Sequence, residues 1–197
     1  MIGRMRTTLA IVALALAAAQ ASGQQRLEIS GEARVRIVTS MGEIVVALDA
    51  ERAPLTVQNF LQYVVDGYYD GTVFHRVAPA FLVQGGGYLP DLTEKPAERS
   101  VFNESGNGLS NLRGTIGMAR TGEPHSATTQ FYFNLVDNAS SLDPRPTRWG
   151  YAVFGEIVGG LDVMDAIGSV STGSGGEFDR NVPVEPIIIE RIELIRE

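Results

Sequence analysis

The sequence predicts a mainly β fold, a closed barrel or a sandwich, held in one domain. Three observations carry this. Short segments of strand character recur with glycine-bearing turns between them, only two segments show helical spacing, and no repeat or second domain interrupts the 197 residues.

Residues 33–39 read Ala-Arg-Val-Arg-Ile-Val-Thr, an alternation of apolar and polar side chains that describes a half-buried strand. Met41-Gly42 supplies a turn and residues 43–48 the returning strand, so the pair is a hairpin. Pro54 suits the first turn of a helix, where a backbone N–H is not needed. Val57, Phe60, Leu61 and Val64 follow at helical spacing, and Gly67 stops the run. Short strands are expected at 72–76, 81–84, 115–119, 130–135 and 151–158. Gly160 precedes a short helix at 161–167, and 187–195 is the last strand, which makes eight strands and two helices. The stretches 87–113 and 137–150 are too long for plain connections, and such loops in a compact domain are usually functional. The glycine- and serine-rich run 169–176 reads as a surface loop.

Ahead of these elements, residues 1–21 have the pattern of a secretory signal peptide: Arg4 and Arg6, an apolar run over 9–19, then Ala19-Gln20-Ala21. Cleavage is expected before Ser22, with a cut after Gly23 as the alternative. The apolar run is shorter than the ~20 residues of a membrane span, so the mature protein is expected to be exported, to a bacterial periplasm, with no stable membrane insertion. Residues 22–32 are polar and are expected to form a flexible N-terminal tail, with 33–197 as the folded domain.

Composition excludes several functions. There is no cysteine, which removes disulfides, thiolate chemistry and Cys-ligated zinc. The formal charge is −7, and without Arg4 and Arg6 the balance is 14 basic against 23 acidic residues, or −9. Such a surface repels phosphate backbones, so no nucleic-acid partner is expected. The two histidines, His75 and His125, are too far apart to form a metal motif, and a Ser-His-Asp set lacks the Gly-x-Ser-x-Gly elbow. Gly85-Gly86-Gly87 lacks the Lys-Ser/Thr of a phosphate loop. Neither a metal nor a cofactor is expected.

The unusual segment is Phe74-His75-Arg76-Val77-Ala78-Pro79-Ala80-Phe81-Leu82-Val83-Gln84-Gly85-Gly86-Gly87. It resembles the signature of the cyclophilins, in which Phe-His-Arg-Val leads into Phe-x-Val-Gln-Gly-Gly. Further matches follow in order: Asn103-Glu104, Gly114-Thr115-Ile116-Gly117-Met118-Ala119, Ser126-Ala127-Thr128-Thr129-Gln130-Phe131-Tyr132 and Val153-Phe154-Gly155. The likeness spans residues 35–195 and is greatest to the periplasmic bacterial branch, on Arg120 and on Gly150-Tyr151-Ala152. It implies a closed eight-stranded antiparallel barrel capped by two helices. It also implies peptidyl-prolyl cis-trans isomerase activity, with proline-containing unfolded or flexible polypeptides as partners. A monomer is expected.

The chemistry suits these residues. Rotation about an X–Pro bond is opposed by amide resonance, a barrier of ~18–20 kcal/mol. A turnover of ~10 per second asks for roughly a thousandfold acceleration, about 4 kcal/mol. An apolar pocket that holds the ring, with a fixed cation donating to the prolyl nitrogen once its lone pair is freed, favours the twisted state selectively. Arg76 is the candidate cation, and by resemblance Gln84 orients it and contacts substrate. The resemblance also assigns Phe81, Leu82, Tyr132 and Leu142 to the proline pocket, with Ala119, Arg120 and Thr121 along the groove for the preceding residue. Gln130 sits beside them, and Tyr151 takes a pocket position where many relatives carry histidine. His75 lines the site floor or bonds within the barrel; both readings stand.

Taken singly, Phe81 and Leu82 would be core, Gln84 a strand-end cap and Arg76 a surface ion-pair partner; the joint pattern reverses this. The alternative on the same fold is a non-catalytic proline-peptide binder, against which Arg76 argues. Two departures matter. Ser141 stands where eukaryotic relatives carry a tryptophan that helps form the cyclosporin site, so weak inhibition by cyclosporin is expected. Trp149, the sole tryptophan, either folds back to replace that ring or packs in the core or its own loop. Tyr132 replaces the usual phenylalanine, and its hydroxyl needs a partner if buried. His125 is expected to be solvated.

Overall fold

The computed structural model describes residues 33–195; the expected signal peptide, the tail at 22–32 and residues 196–197 lie outside the described residues. The first hairpin is β1 (Ala33–Thr39) and β2 (Gly42–Leu48), paired antiparallel from Ala33↔Leu48 to Thr39↔Gly42. Its alternation is realised, with Val35, Ile37, Ile44 and Val46 fully buried. α1 (Pro54–Val65) begins on its proline and buries Val57, Phe60, Leu61 and Val64.

α1 has no local cap. Its N-cap residue is Ala53, and the free N–H groups of Leu55 and Thr56 instead donate to the Glu104 carboxylate at 3.1 and 2.8 Å. The Thr56 hydroxyl donates to the same group at 2.6 Å. A carboxylate at the positive end of a helix is favourable, so Glu104 fastens the long loop to α1 across 48 residues of chain.

The remaining elements are β3 (Thr72–Val73), β4 (Arg76–Ala78), β5 (Leu82–Gly85), β6 (Thr115–Met118), β7 (Phe131–Asn134), α2 (Ala139–Leu142), β8 (Val153–Gly159), α3 (Leu161–Gly168), β9 (Thr172–Gly175), β10 (Phe178–Pro183) and β11 (Ile188–Ile195). Nine strands form one sheet in the order β3-β11-β1-β2-β8-β6-β7-β5-β4, and β9 pairs with β10 as a separate ribbon. The expected closed eight-stranded barrel is therefore corrected to an open, curled, nine-stranded sheet.

The correction has a local cause. The single strand expected at 72–76 is two strands at opposite edges of the sheet: β3 pairs with β11, β4 with β5. Phe74 and His75 alone connect them. The two edges of the open sheet are joined by covalent chain and not by a ladder. Phe74 plugs the seam from the inside, its ring 6.2 Å from Phe131 and 6.4 Å from Phe133. His75 faces the other way, onto Tyr88 and onto Phe178 of β10. The ribbon β9–β10 lies partly in the run read as a surface loop, and α2 is a third helix beyond the two expected.

Inside the curl, Phe60 of α1 meets the rings of Tyr69, Phe131 and Phe154 at 5.3, 5.6 and 5.3 Å. Gly86 follows β5 at φ +81°, and an added Cβ would lie 2.8 Å from the Phe131 ring. That is a close backbone approach that favours glycine at this position.

Candidate active site

Strand register gathers the site. Arg76 on β4 is opposite Gln84 on β5, Gln84 is opposite Tyr132 on β7, and Tyr132 is opposite Gly117 on β6. Directly opposed residues of antiparallel strands share a face, so side chains distant in sequence project together. Gly117 leaves room for this: an added Cβ would overlap the Tyr132 hydroxyl.

Arg76 is half-buried and held from two sides. Its Nη1 donates to Gln84 Oε1 at 3.3 Å, and its guanidinium carbon lies 5.9 Å from the Phe81 ring centroid. Gln84 Nε2 donates to Gln130 Oε1 at 2.8 Å, so Gln130 fixes which way the amide turns. Burial draws the Arg76 pKa below its ordinary value, Arg180 on β10 adds like-charge repulsion, and Tyr151 opposes both. Arg180 had no signal in the sequence, because no element was expected at 178–183.

Beside this chain of polar groups lies an apolar cluster apart from the main core. Leu82, Tyr132 and Leu142 are buried in it, and Phe81, Ala119 and Tyr151 pack against it half-buried. The Tyr132 and Tyr151 rings meet edge to face at 6.1 Å. These are six of the residues assigned by resemblance to the pocket and groove.

The Tyr132 hydroxyl has its partner. It donates to Asn111 Oδ1 at 2.6 Å, and Asn111 is wholly buried. Asn134 Nδ2 donates to the same oxygen at 3.2 Å. The Asn111 side-chain amide and backbone N–H both donate to Asp143 Oδ1 at 2.8 Å, and the Ser110 hydroxyl donates to Asp143 Oδ2. Asn138 Nδ2 donates to Asn134 Oδ1 and to the Phe81 carbonyl, both at 2.8 Å. This network ties the back of the pocket to the 107–111 loop and to α2. Burial pushes the Tyr132 phenol well above its ordinary pKa, so it stays a donor. Burial would raise Asp143, but the bonds from Ser110 and Asn111 outweigh it and hold the carboxyl below its ordinary value. Sequence reasoning missed all four residues, Asn111, Asn134, Asn138 and Asp143.

Arg120 sits against the pocket wall. Its guanidinium carbon is 4.4 Å from the Tyr151 ring centroid, while Nε donates to the Gly150 carbonyl at 3.2 Å and Nη2 to that of Trp149 at 2.9 Å. Thr121 and Gln130 line a neighbouring cleft of about 540 Å³ with Gln84, Lys95, Ala119 and Arg120. A larger depression, about 850 Å³ between Asp49, Leu109 and Glu156, holds none of the residues assigned to the site.

His75 does not join the pocket cluster. It is 2% exposed and lies 4.5 Å from Tyr88 and 5.6 Å from Phe178, ring to ring. Burial, then the Arg76 charge, lowers its pKa to about 4. Trp149 is neither core nor pocket: it is 48% exposed, with its ring 5.1 Å from that of His125. His125 is likewise more than solvated, lying between Trp149 and Phe102.

Comparisons with known proteins give the family of the chain. The family profile of "cyclophilin type peptidyl-prolyl cis-trans isomerase/CLD" matches residues 34–194. Peptidyl-prolyl cis-trans isomerase A of Dickeya dadantii is 50% identical over 162 residues, 82% of this chain and 84% of the relative. Peptidyl-prolyl cis-trans isomerase cyp18 of Streptomyces antibioticus is 48% identical over 163 residues, 82% of this chain and 98% of the relative. Among solved structures, a Cryptosporidium parvum cyclophilin type isomerase superposes with TM-score 0.71 at 25% identity, over 85% of this chain and 99% of that one. The same protein in the presence of the dipeptide Ala-Pro gives 0.69. The chain belongs to the cyclophilin family of peptidyl-prolyl cis-trans isomerases. Its activity is the interconversion of cis and trans peptide bonds preceding proline.

Proposed function

We propose that the reaction takes place where Arg76 overhangs the Leu82–Tyr132–Leu142 cluster, and that the clients are exported polypeptides during folding. One observation carries the assignment: the Arg76 guanidinium is oriented by Gln84 at the rim of an apolar cluster separate from the core. The proline ring enters the cluster and loses water. Phe81 and Tyr151 flank it. Arg76 donates to the prolyl nitrogen as the amide twists, when the lone pair leaves resonance, so the bond strengthens toward the transition state. Gln84 keeps the fork aimed, and Gln130 keeps Gln84 turned. No covalent intermediate is needed.

A protease-coupled or NMR exchange assay on an Ala-Pro peptide tests the assignment. Arg76→Ala is expected to lose most of the roughly thousandfold acceleration, about 4 kcal/mol. Arg76→Lys is expected to recover little of it, because a point ammonium cannot keep the fork geometry. A rate unchanged in Arg76→Ala overturns the role given to Arg76. Proline isomerisation is a slow folding step, which gives an exported enzyme a purpose. The charged, apolar and small-residue order of 1–21 supports export to a bacterial periplasm, where the protein acts as a monomer. N-terminal sequencing of the protein from a periplasmic fraction is expected to begin at Ser22 or Gln24; an intact Met1 terminus in the cytoplasm refutes export.

A further inference from the structure

Most exposed large apolar side chains of the described residues are scattered aliphatics, but two are aromatic and stand together: Phe102, 68% exposed, and Trp149, 48% exposed. His125 bridges them. Its ring lies 5.0 Å from Phe102, tilted, and 5.1 Å from Trp149, edge to face. The Asn103 N–H donates to His125 Nδ1 at 3.2 Å, and the Asn103 side-chain amide donates to the Gly150 carbonyl at 3.0 Å. The three rings thus stand on three loops, which Asn103 ties together. An exposed aromatic row held rigid, on an otherwise acidic chain, is a surface made to be covered.

The row is continuous with the pocket. Arg120 lies over the Tyr151 ring and donates to the carbonyls of Trp149 and Gly150. His125 belongs to the turn, closed by the Thr121–Ser126 hydroxyl pair at 2.7 Å, that continues the Ala119–Thr121 groove wall. We infer that Phe102, His125 and Trp149 form an outer subsite that takes an aromatic side chain lying N-terminal to the X–Pro pair of the client chain. The inference rests on the assignment of the groove above. The occupant is aromatic because the rings already meet at the distances and angles at which a further ring adds favourably. The guanidinium beside them is taken up by carbonyls and by Tyr151 rather than offered to an anion.

Two peptides with one Ala-Pro core test it, one carrying Trp-free aromatic residues two and three positions before the proline, the other alanines. The ratio of their kcat/KM values does not depend on the fraction of enzyme folded. It is expected to favour the aromatic peptide about three- to tenfold, and to fall to about one in the Phe102→Ser, Trp149→Ser double variant. Trp149 is the only tryptophan, so its emission is expected to shift with the aromatic peptide and not with the alanine one. Equal rates for the two peptides, or a preference that survives in the double variant, overturns the subsite while leaving Arg76 and the pocket intact. Sedimentation showing a dimer that the double variant dissolves also overturns it, since a second copy would then cover the rings. A rate unchanged in Arg76→Ala removes the groove assignment and the subsite with it.

Discussion

The contact between the Tyr132 hydroxyl and Asn111 makes a prediction whose sign can be worked out. Tyr132→Phe deletes a 2.6 Å bond between two buried groups. The Asn111 carbonyl keeps the donor from Asn134 at 3.2 Å, so no acceptor is orphaned, and the cost is the net worth of one bond, about 1 kcal/mol. Asn111→Leu is harsher. It leaves the buried phenol without its acceptor, about 1–3 kcal/mol, and removes one donor from the ionised Asp143. A total of about 3 kcal/mol follows. In that background the hydroxyl is a liability, so adding Tyr132→Phe should restore about 1–2 kcal/mol instead of costing 1. Urea denaturation of the four proteins measures the cycle. The expected coupling is about 2–3 kcal/mol. If Tyr132→Phe costs the same in both backgrounds, within about 0.5 kcal/mol, the hydroxyl does not rest on Asn111 and the reasoning fails.

Three further outcomes are expected. His75 has its pKa lowered to about 4, so the unfolded chain takes up a proton below about pH 6.5 that the folded chain refuses. Stability should fall by up to about 3 kcal/mol as pH drops from about 6.5 to about 4, and denaturation of His75→Phe should lack that part of the slope. Glu104→Ala removes the acceptor of three bonds at the start of α1 and should cost about 2–3 kcal/mol in denaturant, with Glu104→Gln recovering part; no loss would mean α1 needs no cap. Cyclosporin should inhibit weakly, because Ser141 is exposed and Trp149 turns away toward His125; a nanomolar inhibition constant would contradict this.

What could be read from the sequence was local. The alternation of 33–39 and the Pro54-led helix needed no tertiary information, since period and punctuation name such elements. The cyclophilin motif put Arg76, Phe81, Leu82 and Gln84 close together in sequence, and β4–β5 register then fixed the common face of Arg76, Leu82 and Gln84. The split of 72–76 into two edge strands was not legible, because periodicity does not say which neighbour a strand pairs with. Counting strands likewise could not decide whether a last ladder closes. The network behind Tyr132 was hidden for another reason: Asn111, Asn138 and Asp143 are turn-forming residues, and a loop asparagine reads the same whether it turns the chain or is wholly buried. β10 was masked by its mixed composition and by Pro183, which argues against a strand.

The seam at Phe74-His75 also bears on how the protein survives its own clients. A sheet with bare edges invites an unfolded chain to add as another strand, which is the route to aggregation. Here the two edge strands of the main sheet are two and three residues long and run straight into each other, so neither edge strand is itself long enough to template a visitor. A polypeptide is then held at one proline and its neighbours rather than along a ladder. Such a local grip suits a catalyst that acts on one peptide bond at a time and must then let the chain go.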